Sequence, residues 1–348
     1  MDKVKIIGLG MISRLGNEID SVWKSLSLED FNLISDEKVN YISQVPKNKR
    51  RRMNRYSDMV VCSAVDAVKD AKLELEQLDP FRVGTIYSTG YGPLNSNLEF
   101  TQMLLKGDPD LCSPTVFANT VSNACIGQVC MHLGLKGVST IVMGSNSIGY
   151  SQMLISKGVA DYILTGGIEE YNSDLYLALK NNKYSKNVNI AEASISLLLS
   201  NIEVEKDAYC ELVDFAEINI GKYPLVNPTT EFAKNQMESL LSSFLSKHDS
   251  KSIHYVFNAN NKSYFDRTEN EVLKKFFDES VIITDLKKYA GETLGASLSV
   301  TIAIAALCLK KNKVPRNINK NLERKSINKI LVTGYDVTGN YVLYLLQK

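Results

Sequence analysis

Ser139-Thr140-Ile141-Val142-Met143-Gly144-Ser145-Asn146-Ser147-Ile148-Gly149-Tyr150 decides the fold. Its first five residues are mostly β-branched or apolar, the mark of a strand, and Gly144 ends them. A helical pattern then fills 148–158, so strand passes to helix through a turn of a few residues. The same unit recurs on both sides. Upstream, a strand is expected at 3–8, and apolar residues at 60, 61, 64, 65, 68 and 71 predict a helix over 57–73. Val83 to Tyr87 reads as a strand, followed by helices near 95–106 and 120–133. Downstream come a strand at Tyr162-Ile163-Leu164 ending on Gly166-Gly167, a β-rich stretch at 194–203 and a strand at 209–220. The theme then repeats with helix 229–247, strand 253–257, helix 266–277, strand 280–284, helix 293–310 and strands 328–333 and 341–346. Alternation of this kind implies an α/β protein with parallel-rich sheets covered on both faces. It divides into two similar halves, 1–220 and 221–348, although no sequence repeat links them.

Composition narrows the function. The 348 residues carry 40 Lys plus Arg against 39 Asp plus Glu, a formal charge of +1, which argues against a dedicated nucleic-acid binder. The one basic run is Lys47, Lys49, Arg50, Arg51, Arg52 and Arg55. No signal-peptide pattern precedes the strand at 4–8. The longest apolar stretch, Ala290 to Leu309, contains Glu292, Gly291, Gly295 and several hydroxyl residues, so a buried helix is expected there, not a membrane span. Six cysteines show no CxxC pair and three histidines show no zinc spacing, so neither a metal nor any other cofactor is expected. Buried thiols in a reducing cytoplasm fit that usage.

A series of short motifs resembles the β-ketoacyl synthases of the thiolase fold, in the family's order and over nearly the whole chain. Ile6-Ile7-Gly8-Leu9-Gly10-Met11-Ile12-Ser13 with Leu15-Gly16 and Trp23 is similar to the first strand and loop. Arg52-Met53-Asn54-Arg55-Tyr56-Ser57 leading to Asp70-Ala71 resembles the first long helix. Ser113-Pro114, Phe117, Asn123, Gly127 and Leu133-Gly134-Leu135-Lys136-Gly137 resemble the dimer-interface helix and its exit. Ala160-Asp161, Gly166-Gly167-Ile168-Glu169, Asp266, Glu269, Lys287, Gly291, Thr293-Leu294-Gly295-Ala296, Val314-Pro315 and Asn319 follow. The resemblance implies a thiolase-like fold, with two duplicated βαβαβαββ halves stacked in five layers (αβαβα) and usually in a dimer.

A condensing enzyme of this family needs a thiolate at a helix N-terminus and two imidazoles around the thioester. The resemblance places Asn146 at the cysteine position, Asn258 at the first histidine and Glu292 at the second. It also puts Asn260 and Lys262 where threonines touch the pantetheine arm. The family's C-terminal Gly-Phe-Gly-Gly-Thr-Asn loop reads Tyr335-Asp336-Val337-Thr338-Gly339-Asn340, and the stretch between Glu169 and Glu192 is shortened. Ser145 and Ser147 are nucleophile candidates only beside a base. Lys287, Asp266 and Glu269 are expected to be buried polar groups that stabilise the fold.

Three functions remain open at this point. The first is a non-elongating subunit of the chain-length-factor type, paired with an active ketosynthase in type II polyketide, aryl polyene or fatty-acid-like biosynthesis. Val121, Asn123, Ala124, Cys125, Gly127 and Gln128 would then face the partner, while Lys49, Arg50, Arg51, Arg52 and Arg55 would dock an acidic acyl carrier protein. The second is a divergent acyltransferase or malonyl decarboxylase that uses Ser145, Ser147 or Asn146, with Glu292 as an acid of raised pKa. The third is a non-catalytic scaffolding homodimer. Nucleic acid and membrane are not expected as partners, and a cytoplasmic location is.

Overall fold

The computed structural model describes residues 3–28, 38–107, 112–203, 207–259, 263, 265–315, 318 and 327–348. The motif positions Asn260, Lys262 and Asn319 lie outside them. The first part of the chain runs β1 (Val4–Ile12), α1 (Ile19–Ser27), α2 (Lys47–Arg50), α3 (Arg55–Ala71), β2 (Val83–Thr89), α4 (Leu94–Leu105), α5 (Pro114–Ala118), α6 (Ala124–Leu133), β3 (Ser139–Met143), α7 (Ser147–Ser156), β4 (Tyr162–Glu169), α8 (Ser173–Asn181) and β5 (Ala193–Ser200). The second part runs β6 (Cys210–Asn219), α9 (Glu231–Leu245), β7 (Tyr255–Asn258), α10 (Phe265–Phe276), β8 (Ile282–Asp285), α11 (Lys287–Ala290), α12 (Ser297–Lys311), β9 (Lys329–Tyr335) and β10 (Asn340–Gln347).

Strand order carries the duplication that the sequence hides. The order is β3-β2-β4-β5-β1-β6-β10-β9-β7-β8. Counted within each set of five, both halves read third, second, fourth, fifth, first. They meet where Val4, Lys5 and Ile6 of β1 pair antiparallel with Leu212, Glu211 and Cys210 of β6. The division at residue 220 therefore needs correction. It assigned β6 to the first half, whereas by strand order β6 opens the second, and the junction falls between β5 and β6.

The layers follow from which faces are apolar. Along β5, Ile195, Leu197 and Leu199 enter the central core while Leu198 enters an outer one. Along β10, Val342, Tyr344 and Leu346 point to the centre while Tyr341, Leu343 and Leu345 point to the other outer core. Strict alternation with both faces buried requires helices on both sides of each set. α3 and α6 cover the first set, α9 and α10 the second, and α7 and α12 fill the centre. This is the expected thiolase-like five-layer stack. α12 is apolar all round and buried from Ser297 through Leu309, as a central helix must be. By length and composition Leu294–Lys311 would also cross a membrane, yet 89% of that window is buried inside the domain.

The β1–α3 contact depends on glycine. A Cβ at Gly10 would stand 1.8 Å from the Ser63 carbonyl oxygen, and one at Gly8 2.2 Å from that of Ala67. Gly10→Ala is expected to cost about 1–3 kcal/mol by forcing helix and strand apart. A denaturant midpoint equal to that of the native chain would show that the helix moves freely.

Candidate functional site

The strand β3 ends at Gly144, and the chain turns into α7 with Asn146 as N-cap residue. Asn146 Oδ1 accepts from Tyr344 Oη at 2.7 Å, and the same hydroxyl accepts from the Gly149 N–H at 2.7 Å. Its amide also bonds the Glu217 carboxylate, whose pKa is raised by burial against that bond. Ser145 and Ser147 are both buried. Ser147 Oγ donates to the Gly166 carbonyl at 2.6 Å, and its N–H donates to Ser88 Oγ at 3.0 Å. Ser145 gives its N–H and its hydroxyl to Asp336 Oδ2, at 3.1 and 3.2 Å. Neither serine is in hydrogen-bond contact with an imidazole or lysine base.

Glu292 is 2% exposed, and its partners include donors on four residues. Oε2 takes Lys287 Nζ at 2.8 Å and Tyr335 Oη at 3.2 Å; Oε1 takes the Leu294 N–H at 2.9 Å and the Ser297 hydroxyl. Lys287, 6% exposed, also lies over the Tyr335 ring at 4.4 Å. A carboxylate surrounded in this way is an acceptor and an ion-pair partner. The expectation that Glu292 acts as an acid is therefore corrected: each oxygen is already held by donors.

Asn258 does not join this group. Tyr255 and Phe257 of β7 point to the central core and Val256 to the outer one, so Asn258 shares the phase of Val256. Its Nδ2 donates to Asn270 Oδ1 of α10 at 3.3 Å. The structure thus links 145 with 292 through the consecutive residues Tyr335 and Asp336, and sets 258 apart. A groove of about 750 Å³ bounded by Leu9, Tyr41, Asp66, Asp70, Tyr209 and Lys310 lies elsewhere and contains none of these positions.

The remaining polar groups behave as braces. Glu269 is fully buried; it accepts from Thr333 Oγ1 at 2.5 Å, Tyr341 Oη at 2.8 Å and the Ala259 N–H at 3.1 Å. Asp266 Oδ1 accepts from Ser263 Oγ at 3.2 Å. Burial raises the Glu269 pKa to about 7, against the pull of its hydroxyl donors. For a carboxyl whose folded pKa lies above its unfolded value, the charged form is the disfavoured one. Stability is then highest below about pH 4.5 for this group and falls until about pH 7. Glu269→Gln is expected to remove up to about 3 kcal/mol of that fall. Unfolding free energies at pH 5 and pH 8 check it; an unchanged slope would mean that Glu269 does not titrate in this range.

Comparisons with known proteins agree with this architecture. Residues 35–193 match the family model described as Beta-ketoacyl synthase, N-terminal domain. The 3-oxoacyl-[acyl-carrier-protein] synthase 2 of Synechocystis sp. is 24% identical over 91% of this chain and 88% of its own length. Over residues 35–193 the chain is similar to the β-ketoacyl synthase family. Two solved structures show the same fold. The ishigamide ketosynthase/chain length factor superposes with a TM-score of 0.83 at 15% identity, covering 100% of this chain and 99% of that one. A ketosynthase in complex with its chain length factor from Xenorhabdus doucetiae gives 0.81 at 15% identity, covering 99% and 98%.

Several positions singled out on this β-ketoacyl synthase relative turn out differently placed. The helix expected at 120–133 begins only at Ala124, after the short α5. Val121, Asn123 and Gly127 are exposed, and Ala124 and Gln128 partly so, but Cys125 is fully buried. It packs against Tyr56, its Sγ donates to the Ser122 carbonyl at 3.3 Å, and burial pushes the thiol up to about 12. Cys125 cannot face a partner. Arg55 also leaves its assigned place. Its guanidinium pairs with the fully buried Glu192, donates to the Val39 carbonyl at 2.6 Å and lies over the Tyr41 ring. Lys49, Arg51 and Arg52 stay exposed, with Arg50 partly so.

Three buried carboxylates were given no role by the sequence reading. Glu169 is 1% exposed and accepts backbone N–H bonds from Gly90 at 2.6 Å, Tyr91 at 3.0 Å and Gly295 at 3.1 Å. It thereby ties β4 to the turn before α12, and burial raises its pKa to about 8 despite these donors. Asp336 and Glu192 are the others. Each is a carboxylate with a partner distant in sequence, Gly90 for Glu169, Arg55 for Glu192 and Ser145 for Asp336, so no local pattern announces it.

Proposed function

We propose that this chain is a non-elongating β-ketoacyl synthase-like subunit that pairs with an active ketosynthase in type II polyketide, aryl polyene or fatty-acid-like biosynthesis. One observation carries the reading. The start of α7, where the family's nucleophile belongs, presents an amide held by Tyr344 and two serines whose hydroxyls are spent on Gly166 and Asp336. Glu292, at the second histidine position, is a fully engaged carboxylate. Condensation needs a thiolate and proton donors at these places, and the side chains present supply neither.

The surface supports pairing. β3 is an edge strand with Ser139 and Met143 exposed, and an unpaired edge invites a second strand. α6, which packs on β3, carries Met131 at 70% exposure, and Phe117 at 59% and Val121 at 51% stand in the segment leading into it. Apolar side chains grouped on one face mark an interaction surface. Both solved structures of this fold cited above are ketosynthase and chain-length-factor pairs. The exposed cations Lys49, Arg51 and Arg52, with the partly exposed Arg50, suit an acidic carrier protein docking on the assembled pair.

Co-expression with an intact ketosynthase, followed by size measurement, tests the reading. A one-to-one complex that needs both chains for condensation is the expected result. A chain that stays monomeric at every concentration ends the pairing reading. Release of carbon dioxide from malonyl-carrier protein by the isolated chain, abolished in Asn146→Ala, would establish the divergent-enzyme alternative instead.

A further inference from the structure

We propose that residues 335–340 form a fixed strap that closes this chain's own site, so that within the proposed pair the acyl chain is held by the ketosynthase alone. Only that last clause rests on the pairing reading. The strap is the turn between β9 and β10, and it lies over the C-terminal ends of β2 and β3. In α/β sheets that end of parallel strands is where ligands enter.

Two glycines receive it. Gly144, which follows β3, has φ +114, and a Cβ there would lie 2.7 Å from Asp336 Oδ2. Gly90, which follows β2, would place a Cβ 3.1 Å from Val337 Cγ1. Only a residue without a side chain permits an approach this close. Asp336, 3% exposed, then bonds in two directions. Oδ2 receives the N–H and hydroxyl of Ser145, anchoring the strap to the start of α7. Oδ1 receives the Thr338 N–H at 2.9 Å, the Thr338 hydroxyl at 2.5 Å and the Asn340 N–H at 3.2 Å, which sets the turn itself. Tyr335 fixes the strap's other end through its hydroxyl on Glu292. Strap, α7 and the Lys287–Glu292 pair are thus one hydrogen-bonded unit. Lifting the strap from α7 would break both Ser145 bonds to a single buried carboxylate, and unfolding the turn would break three more to its other oxygen.

Amide exchange on the isolated chain tests the closure without any partner. Peptides covering 144–147 and 336–340 are expected to exchange at least tenfold faster in Asp336→Ala, with β5 unchanged as the reference for an intact fold. Asp336→Asn, which keeps the shape and removes the charge, serves if the alanine variant does not fold. Unaltered exchange in a folded variant overturns the strap. A photoreactive acyl-pantetheine, applied to the chain with its ketosynthase, tests the second clause. Label is expected on the ketosynthase only, and on residues 143–150 of this chain once Asp336 is replaced. Label at 143–150 in the unaltered chain would overturn the inference, whereas loss of the complex would fault only the pairing.

Discussion

Val121→Glu combined with Met131→Glu is expected to weaken association with the ketosynthase by at least about 100-fold. Both side chains are more than half exposed, Met131 on α6 and Val121 three residues before that helix. A carboxylate buried there without a partner would cost more than the lost contact area alone. The fold should not notice: neither side chain belongs to the core clusters. Leu177 on α8 and Phe232 on α9, each 55% exposed, are the control, because Leu177→Glu with Phe232→Glu adds the same two charges outside α6 and the segment before it. Titration by light scattering or sedimentation reads the effect. Unweakened association of the double variant would move the interface elsewhere and remove the main surface argument for pairing. Gly127 adds a graded test, since it is exposed and a Cβ there meets nothing within 4 Å of this chain. Gly127→Ala should leave the monomer unstrained, so any loss of affinity reports the closeness of the partner's backbone.

Periodicity carried the fold because burial does. β4, β5 and β10 are buried on both faces and read as continuous apolar runs, and α3 shows its inward residues at helical spacing. What periodicity cannot carry is pairing between distant positions. Arg55 looked like one cation in a basic run; only the fold brings Glu192 to it, 137 residues along the chain. Cys125 looked partner-facing until the true start of α6 set its phase, with Cys125, Ile126 and Val129 inward and Gly127 and Met131 outward. Asn258 was legible as the end of a strand but not as to which face it took, because one residue of parity decides between the central and outer cores. The duplication is the extreme case: the two halves share strand order without sharing sequence, since burial and chain connectivity constrain topology far more than residue identity.

Glu292→Ala is expected to cost about 3–5 kcal/mol, a large part of the 5–15 kcal/mol that holds a typical domain folded. The cause is the charge left behind. Lys287 Nζ sits 2.8 Å from Glu292 with side-chain exposures of 5% and 1%, so removing the carboxylate strands an ammonium in the interior. The Leu294 N–H, the Ser297 hydroxyl and the Tyr335 hydroxyl lose an acceptor in the same step. The double variant Lys287→Met with Glu292→Gln separates the two effects. It removes both charges while leaving an amide oxygen for the Leu294 N–H, and most of the loss should return, because neutralising both members of a buried pair is far less costly than breaking it. Denaturant midpoints at constant slope give the comparison. A single variant within about 1 kcal/mol of the native chain would mean that water reaches the pair and that the site is open. The expected outcome instead gives Lys287 a role that requires no chemistry: with glutamate opposite it, the lysine is a fold-stabilising ion.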